Sequence, residues 1–318
     1  MAQQEVRHTE HTVVATASAD VLYDIIADVT VWPAVFGPTL HAERVESDGA
    51  QERIRLWALA NGEVKTWLSR RTLDAGARRV AFRQEVSQPP VASMGGEWIM
   101  KPATGGDTLV VMTHDYTPVD DDPGHADWIA RAVDRNSRAE LAALKAAVER
   151  GPGLDRLMMA FEDSVEIAAP PVEVYDFIRD CGAWPERLPH VARLELREEP
   201  GGVQHLAMDT KAPDGSVHTT ESIRLCFPSS HIVYKQTTLP KVLLAHTGRW
   251  SFTPSPTGTV ATSQHTVVID PDAVTAVLGA DATVADARAA VRGTLGTNST
   301  ATLRLAQQFT EAPGEAGE

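Results

Sequence analysis

Three residues at alternate positions, Trp67, Ser69 and Arg71, offer the clearest chemistry in this 318-residue chain. Alternate residues of a β-strand share a face, so a strand over 63–73 lines up an indole, a hydroxyl and a guanidinium. A fixed guanidinium stabilises negative charge that develops on a substrate oxygen beside it. Removing such a donor typically costs about 2.7–4 kcal/mol, or roughly 10² to 10³ in rate. Arg71 is therefore the first catalytic candidate, with Ser69 beside it. The competing reading makes Arg71 a surface strand residue paired with Glu85 or Glu97. Ser222 and Arg224 repeat the Ser-x-Arg spacing later in the chain, with Thr220 where Trp67 stands.

Proton transfer needs a further group. His114 and His265 recur at an offset of 151, and histidine is the usual acid or base near neutral pH. Arg83 in the first half and His218 and His246 in the second are further candidates, as is a water held by Ser69 and Arg71. A lone histidine on a strand is, however, commonly a hydrogen-bonded structural residue. Trp32, Trp67, Trp98 and Trp250 could wall a pocket for a flat ring. Trp32 and Trp98 recur in the second half, as expected of core residues, whereas Trp67 does not and is the better pocket residue. His8 with His11, and the run Asp120 to Asp122, could in principle hold a metal. An exposed chain end and a charged helix entry explain them more simply, and no metal is expected.

The elements that must position these residues come twice. Tyr23-Asp24-Ile25-Ile26-Ala27-Asp28 with Trp32-Pro33 is answered by Tyr175-Asp176-Phe177-Ile178-Arg179-Asp180 with Trp184-Pro185, at an offset of 152. Phe82 answers to Tyr234, Gly96 to Gly248 and Trp98 to Trp250 at the same offset, while Asn136-Ser137 answers to Asn298-Ser299 at 162, which places an insertion late in the second half. Each unit is long enough to bury its own core, and domains over 10–150 and 160–310 are expected, joined at the linker-like 150–153. Within the first unit a frayed 1–9 should precede a strand over 10–17. A helix capped by Ser18 or Asp20 should follow and end before Trp32-Pro33. Strands are then expected over 41–46, 52–59, 63–73, 79–86, 95–101 and 108–116, punctuated by Asp48-Gly49, Asn61-Gly62, Gly76 and Gly105-Gly106. Asx-Gly pairs between alternating runs signal hairpins, so the six should form an antiparallel meander. Beyond Pro123 the apolar period changes, and Trp128, Ile129, Ala132, Val133, Leu141, Leu144 and Val148 predict one long amphipathic helix. The second unit repeats this order, with turns at Gly201-Gly202, Asp214-Gly215 and Thr257-Gly258, helices over 271–279 and 282–309, and a disordered 312–318.

Composition narrows the function. Net charge is −14, shared by both halves, which argues against nucleic acid and anionic membrane surfaces as partners. No apolar run is long enough for a membrane span, and a soluble cytoplasmic protein is expected. Cys181 and Cys226 both lie in the second half and do not make a disulfide framework. There is no phosphate loop, dinucleotide fingerprint, nucleophile elbow or zinc spacing, so no cofactor is implied.

An α+β unit of strand, short helices, meander and long terminal helix resembles the helix-grip (START or Bet v1-like) superfamily. More closely, the chain resembles the two-domain aromatase/cyclases of bacterial type II polyketide synthases. The likeness rests on Ala-Asp-Val-Leu-Tyr-Asp with Trp32-Pro33, on Gly62-Glu63-Val64 followed by Trp67-Leu68-Ser69-Arg70-Arg71, on Gly96-Glu97-Trp98 and on Asn136-Ser137-Arg138-Ala139. It implies two tandem domains, each a curved antiparallel sheet wrapped around its long helix and enclosing a pocket for a poly-β-ketone on an acyl carrier protein. It further implies regiospecific first-ring closure between carbons 7 and 12, dehydration to an aromatic ring, and work alongside other synthase components. The resemblance assigns the key arginine role to Arg71 and, by position, to Arg224. Single-domain relatives tend to carry a tyrosine near the place of Thr39, and this chain has none. Arg70, Arg78 and Arg79 are expected to form a basic patch for the acidic carrier protein. The rival reading is a non-catalytic helix-grip carrier of a hydrophobic small molecule, and a third has one half binding the carrier protein while the other reacts.

Overall fold

The computed structural model describes residues 5–60, 62–151, 153–211, 215 and 217–312. The chain divides after Leu154 into two compact units. Asn61 and Asp214 of two expected turns, Pro152 of the linker and most of the expected disordered tail lie outside the described residues.

The first unit begins with β1 (Arg7–Ala15), then α1 (Ala19–Ala27) and the one-turn α2 (Trp32–Val35). Strands β2 (Thr39–Ser47), β3 (Gln51–Ala60), β4 (Glu63–Asp74), β5 (Arg79–Gln84), β6 (Val91–Pro102) and β7 (Thr108–Pro118) follow, and α3 (Pro123–Glu149) closes the unit. The six strands form the expected meander and β1 joins beside β7, giving one seven-stranded sheet in the order β1-β7-β6-β5-β4-β3-β2. The sequence period of two fixes the faces. Glu52, Ile54 and Leu56 are buried while Arg55 is exposed, and on β4 Ser69 and Arg71 are buried while Arg70 and Thr72 are exposed. The Asp48-Gly49 turn forms as the pair predicts: Asp48 Oδ1 accepts from the amides of Ala50 and Gln51 at 3.0 and 2.7 Å, and Gly49 takes φ +95°. The long helix lies against β1 and β7. Leu22, Ile26, Trp98, Met100, Leu141 and Leu144 form the core between sheet and helices.

Several expectations need correcting. Residues 7–9 are paired with Tyr116, Asp115 and His114 rather than frayed, because the ladder to β7 satisfies their backbone groups. Strand β6 starts at Val91, four residues early. Trp128 is 44% exposed and stands off the helix's buried stripe of Ile129, Val133, Leu141 and Leu144. The acidic run is a helix entry, since Asp122 Oδ1 caps α3 by accepting from the His125 amide at 2.8 Å, and Asp121 pairs with Arg7 at 3.0 Å.

The second unit repeats the plan after α4 (Leu154–Leu157). It runs β8 (Met158–Ile167), α5 (Pro171–Arg179), α6 (Trp184–Arg187), β9 (Val191–Glu199), β10 (Val203–Lys211), β11 (Val217–Phe227), β12 (His231–Thr238), β13 (Leu243–Ser255), β14 (Gly258–Ile269), α7 (Val274–Leu278) and α8 (Val284–Glu311). Its sheet has the order β8-β14-β13-β12-β11-β10-β9. The late insertion carries α7, and a capping box between Thr283 and Asp286 restarts the chain as α8. Both cysteines are free and buried.

Candidate active site

The inner face of each sheet carries one row of residues that runs straight across the strands. In the first domain the register places Glu52 opposite Arg71, Arg71 opposite Phe82, Phe82 opposite Gly96, Gly96 opposite His114 and His114 opposite Thr9. Arg71 and His114 are three strands apart, about 14 Å at the usual spacing. Both belong to the face that meets α3.

Arg71 is 2% exposed. Its Nη2 donates to the Ile26 carbonyl at 2.5 Å, at the end of α1, and its guanidinium lies 5.1 Å from the centre of the Trp32 ring. The Trp32 indole is itself fixed by donating to the Ile25 carbonyl at 3.1 Å. The charge partner is Glu52, whose carboxylate is fully buried 3.0 Å from Arg71 Nη1 and 2.7 Å from Arg44 Nε. The surface pairing with Glu85 or Glu97 is thereby excluded: Glu85 holds Arg53 and Arg70, and Glu97 holds Arg79. Burial lowers the Arg71 pKa to about 10, so the side chain remains a cation at neutral pH. Ser69 is buried one step along the same face, and Trp67 beyond it packs against Ile54 and Leu56.

At the other end of the row, burial lowers the His114 pKa to about 4, with neighbouring His11 adding to the shift, so the imidazole is neutral. His11 sits on β1 and its Nε2 contacts Asp134 Oδ1 of α3 at 2.9 Å. Besides the ion-paired Glu52 Oε1 and Arg71 Nη1, five buried polar atoms along the row and the facing α3, Arg71 Nε, His11 Nδ1, His114 Nδ1, Thr9 Oγ1 and Ser137 Oγ, have no hydrogen-bond partner among the described residues. Each would be costly to leave so. Glu140, one turn along α3 from Ser137, has its carboxyl pushed up to about 7 by burial alone.

The second domain repeats the row as Gln204, Arg224, Tyr234, Gly248, His265 and Phe161. Arg224 is 2% exposed, donates from Nη2 to the Ile178 carbonyl at 2.6 Å and lies 5.2 Å from the Trp184 ring centre, as its counterpart does on Trp32. The carboxylate of Glu52 is replaced by the amide of Gln204, to whose Oε1 the thiols of Cys181 and Cys226 donate at 3.7 and 3.5 Å. Tyr234 replaces Phe82, and its hydroxyl lies 2.9 Å from His265 Nδ1 and 3.4 Å from His246 Nε2. His246 and His265 are 3.0 Å apart. Their pKa values fall to about 3 and about 4, in each case chiefly through burial.

Of the residues predicted from sequence, Arg71, Ser69, His114, Arg224, His246 and His265 lie buried on these inner faces, with Trp67 and Ser222 half-buried beside them. Trp98 and Trp250 are core residues, 3% and 7% exposed. Arg83 points outward and pairs with Asp115 at 2.6 Å. It lines a surface cleft of about 620 Å³ with Arg70, Glu97 and Asp115, a cleft that Thr9, Phe82, Gly96 and His114 of the row also border. The period of two already places Arg83 beside Arg70 on the outer face, opposite Arg71. His218 is exposed at the start of β11. Arg70, Arg78 and Arg79 each hold a carboxylate, from Glu85, Asp20 and Glu97, so the expected basic patch is locally neutralised. Sequence reasoning missed Glu52, Gln204, Glu140 and Tyr234. The two hairpin registers would have found the first two and the match of Phe82 with Tyr234 the last. Glu140 follows from placing it one helical turn after Ser137.

The description "Polyketide cyclase / dehydrase and lipid transport" belongs to a family model that matches residues 6–149 and again 158–303. The chain belongs to this family. It is 46% identical over 304 residues to the granaticin polyketide synthase bifunctional cyclase/dehydratase of Streptomyces violaceoruber, covering 95% of this chain and 94% of that one. It is 46% identical over 308 residues to the actinorhodin polyketide synthase bifunctional cyclase/dehydratase of Streptomyces coelicolor, covering 93% and 94%. Among solved structures it is similar to the di-domain ARO/CYC BexL of the BE-7585A biosynthetic pathway, with 52% identity, a TM-score of 0.87 and coverage of 96% and 99%. The di-domain ARO/CYC StfQ of the steffimycin pathway matches at 35% identity and a TM-score of 0.81, covering 95% and 98%. The tandem helix-grip architecture of the polyketide cyclase/dehydratases is therefore that of this chain. Among the described residues no helix is long and apolar enough to cross a membrane.

Proposed function

We propose that the chain folds a poly-β-ketone carried by an acyl carrier protein, closes its first ring between carbons 7 and 12 by aldol addition, and dehydrates the product to an aromatic ring. The observation that carries this reading is the inner row of the first domain, where Arg71 Nε, His114 Nδ1, Thr9 Oγ1 and Ser137 Oγ are buried without partners among the described residues. A chain with a ketone at every second carbon offers oxygen acceptors and acidic methylenes along the length such a row requires. A carrier of an apolar molecule would need apolar walls and one anchor.

Each group has a task in this scheme. Arg71 is locked by Ile26, Trp32 and Glu52, so its Nε–H is pre-aimed and stabilises an enolate without reorganising. Neutral His114 accepts a proton at Nδ1 or orients a water that does so. Phe82, between them in the row, offers a flat wall to the nascent ring, with Trp67 at the Ser69 end. Excluding water from the site suppresses competing closures.

The test is a minimal synthase reconstituted with the wild-type chain, Arg71→Ala or Arg224→Ala, with ring patterns read by mass spectrometry and NMR. Arg71→Ala is expected to revert to spontaneous misfolded products. If both substitutions leave the wild-type product unchanged, the arginine mechanism is wrong and the carrier reading replaces it.

A further inference from the structure

The second domain contains a polar network that the first lacks. Tyr234 and Gln236 on β12, His246 on β13, and Ser263 and His265 on β14 all project from the inner face. His246 Nδ1 lies 2.9 Å from Gln236 Oε1, His246 Nε2 lies 3.0 Å from His265 Nδ1, and His265 Nε2 lies 3.2 Å from Ser263 Oγ. Because Gln236 Oε1 can only accept, the chain of donors runs one way. Ser263 donates to His265, His265 to His246 and His246 to Gln236, with both imidazoles neutral. The Tyr234 hydroxyl sits at the junction of the two rings.

Its position is built into the sheet. A Cβ on Gly248 would stand 2.3 Å from both Cζ and Oη of Tyr234, so only glycine at that place in the row lets the phenol lie flat across β13. Both histidines behind it are 3% exposed, whereas Tyr234 keeps accessible surface. Arg224 is its direct cross-strand neighbour, and the Nε and Nη1 of that arginine have no hydrogen-bond partner among the described residues. In the first domain Phe82 and Met94 occupy the places of Tyr234 and His246, so only Gln84 and His114 of the set remain.

We propose that Tyr234 is a catalytic proton donor of the second domain, acting with the His246–His265 pair in the loss of water from a cyclised β-hydroxy ketone. This rests on the polyketide cyclase/dehydratase reading above and assigns its dehydration step to named atoms. The Tyr234 hydroxyl passes its proton to His246 Nε2, the acceptor of the imidazole pair, and the phenolate takes the proton from the carbon between the carbonyl and the carbinol. The C–H electrons form an enolate whose oxygen Arg224 stabilises, and the enolate collapses to a C=C bond as the C–O bond breaks. The departing hydroxyl takes the Tyr234 proton and leaves as water. The imidazolium then returns its proton to the phenolate across the 3.4 Å contact. Burial holds the phenol above its ordinary pKa, so it stays protonated at neutral pH, and it is still a stronger acid than water at 15.7. No external acid, base or oxidant is consumed.

The experiment uses the full chain in the reconstituted synthase with wild type, Tyr234→Phe and His246→Met, each substitution taking the residue that the first domain carries at the matching place. Mass spectrometry counts retained water and NMR locates the new ring bond. Tyr234→Phe is expected to slow dehydration about 10² to 10⁴-fold, the usual share of a general acid. A cyclised product heavier by one water should accumulate with the ring position unchanged. Where Tyr234→Phe fails to fold by circular dichroism, His246→Met carries the same expectation, since it keeps the phenol and removes its relay. Wild-type dehydration by the folded variant overturns the proposal while leaving the functional reading intact, as does loss of ring position without retained water. A wild-type chain that changes no product overturns both.

Discussion

At the scale of single residues, Arg71 and Glu52 pose a choice between structure and chemistry, and the geometry says how to separate them. A guanidinium 2% exposed beside a fully buried carboxylate leaves an uncompensated charge when either partner is removed alone. Such a loss typically costs about 3–5 kcal/mol. Glu52→Gln, which gives the first domain the amide found at Gln204, is expected to lower its unfolding free energy by about that amount in urea melts. Arg71→Ala therefore mixes instability with lost catalysis. Replacing both residues by methionine removes the pair together, and buried pairs exchanged for apolar side chains are often neutral or stabilising. The double variant is expected to melt near wild type and yet lose control of ring position. A folded double variant that still gives the wild-type ring pattern would reduce Arg71 to a structural anchor of α1.

At the scale of elements, α3 brings Ser137 and Glu140 to the sheet, and Glu140 yields a prediction whose sign can be worked out. Its carboxyl titrates near 7 in the folded chain against 4.5 in the open one, so the folded state holds the extra proton between those values. Stability from this group is greatest at the acid end of that window and falls as pH rises through 7. Glu140→Gln is expected to stabilise the first domain at pH 8 by up to about 3 kcal/mol, less in proportion to its partial exposure. No gain over wild type in melts at pH 8 would show that the carboxylate is solvated. Elements were also where the sequence was most legible. Alternation on 63–73 assigned Ser69 and Arg71 to one face, Asp48-Gly49 made its turn, and the change of period after Pro123 found α3. What it did not give was register, because pairing depends on how many residues each hairpin spends in its turn. Glu52 meets Arg71, and Tyr234 meets Gly248, only once that count is known. Arg83 was misplaced for the opposite reason: its face was readable from Arg71, and its chemistry alone made it a candidate.

At the scale of the molecule, duplication has left two rows of the same plan with different charge and different response to acid. The first domain keeps a buried carboxylate at Glu52 and one displaced histidine, His114, at about 4. The second carries the amide of Gln204 at the matching place and holds His246 at about 3 and His265 at about 4. A histidine kept neutral in the folded state favours unfolding as pH drops, since the open chain takes its proton near 6.5 and the folded chain only near 4. For His114 this loss is about 3 kcal/mol over the window. Glu140 gains a similar amount as pH falls from 7 to 4.5, so in the first domain the two trends oppose and nearly cancel. The second domain has two coupled histidines and, among the described residues, no such carboxyl in its inner row. Lowering the pH from 7 to 5 is therefore expected to destabilise the second domain selectively. The chain supplies the probe, because its only two cysteines, Cys181 and Cys226, are both buried in that domain. Labelling by dithiodipyridine, which reacts in mild acid, should show their urea midpoint dropping between pH 7 and 5. The first domain, followed by limited proteolysis within 7–149, should hold its midpoint. Equal drops in both would mean that the surface ion pairs, and not the buried histidines, set the acid limit. His246→Met should flatten the second domain's response, because it removes the imidazole that charges last.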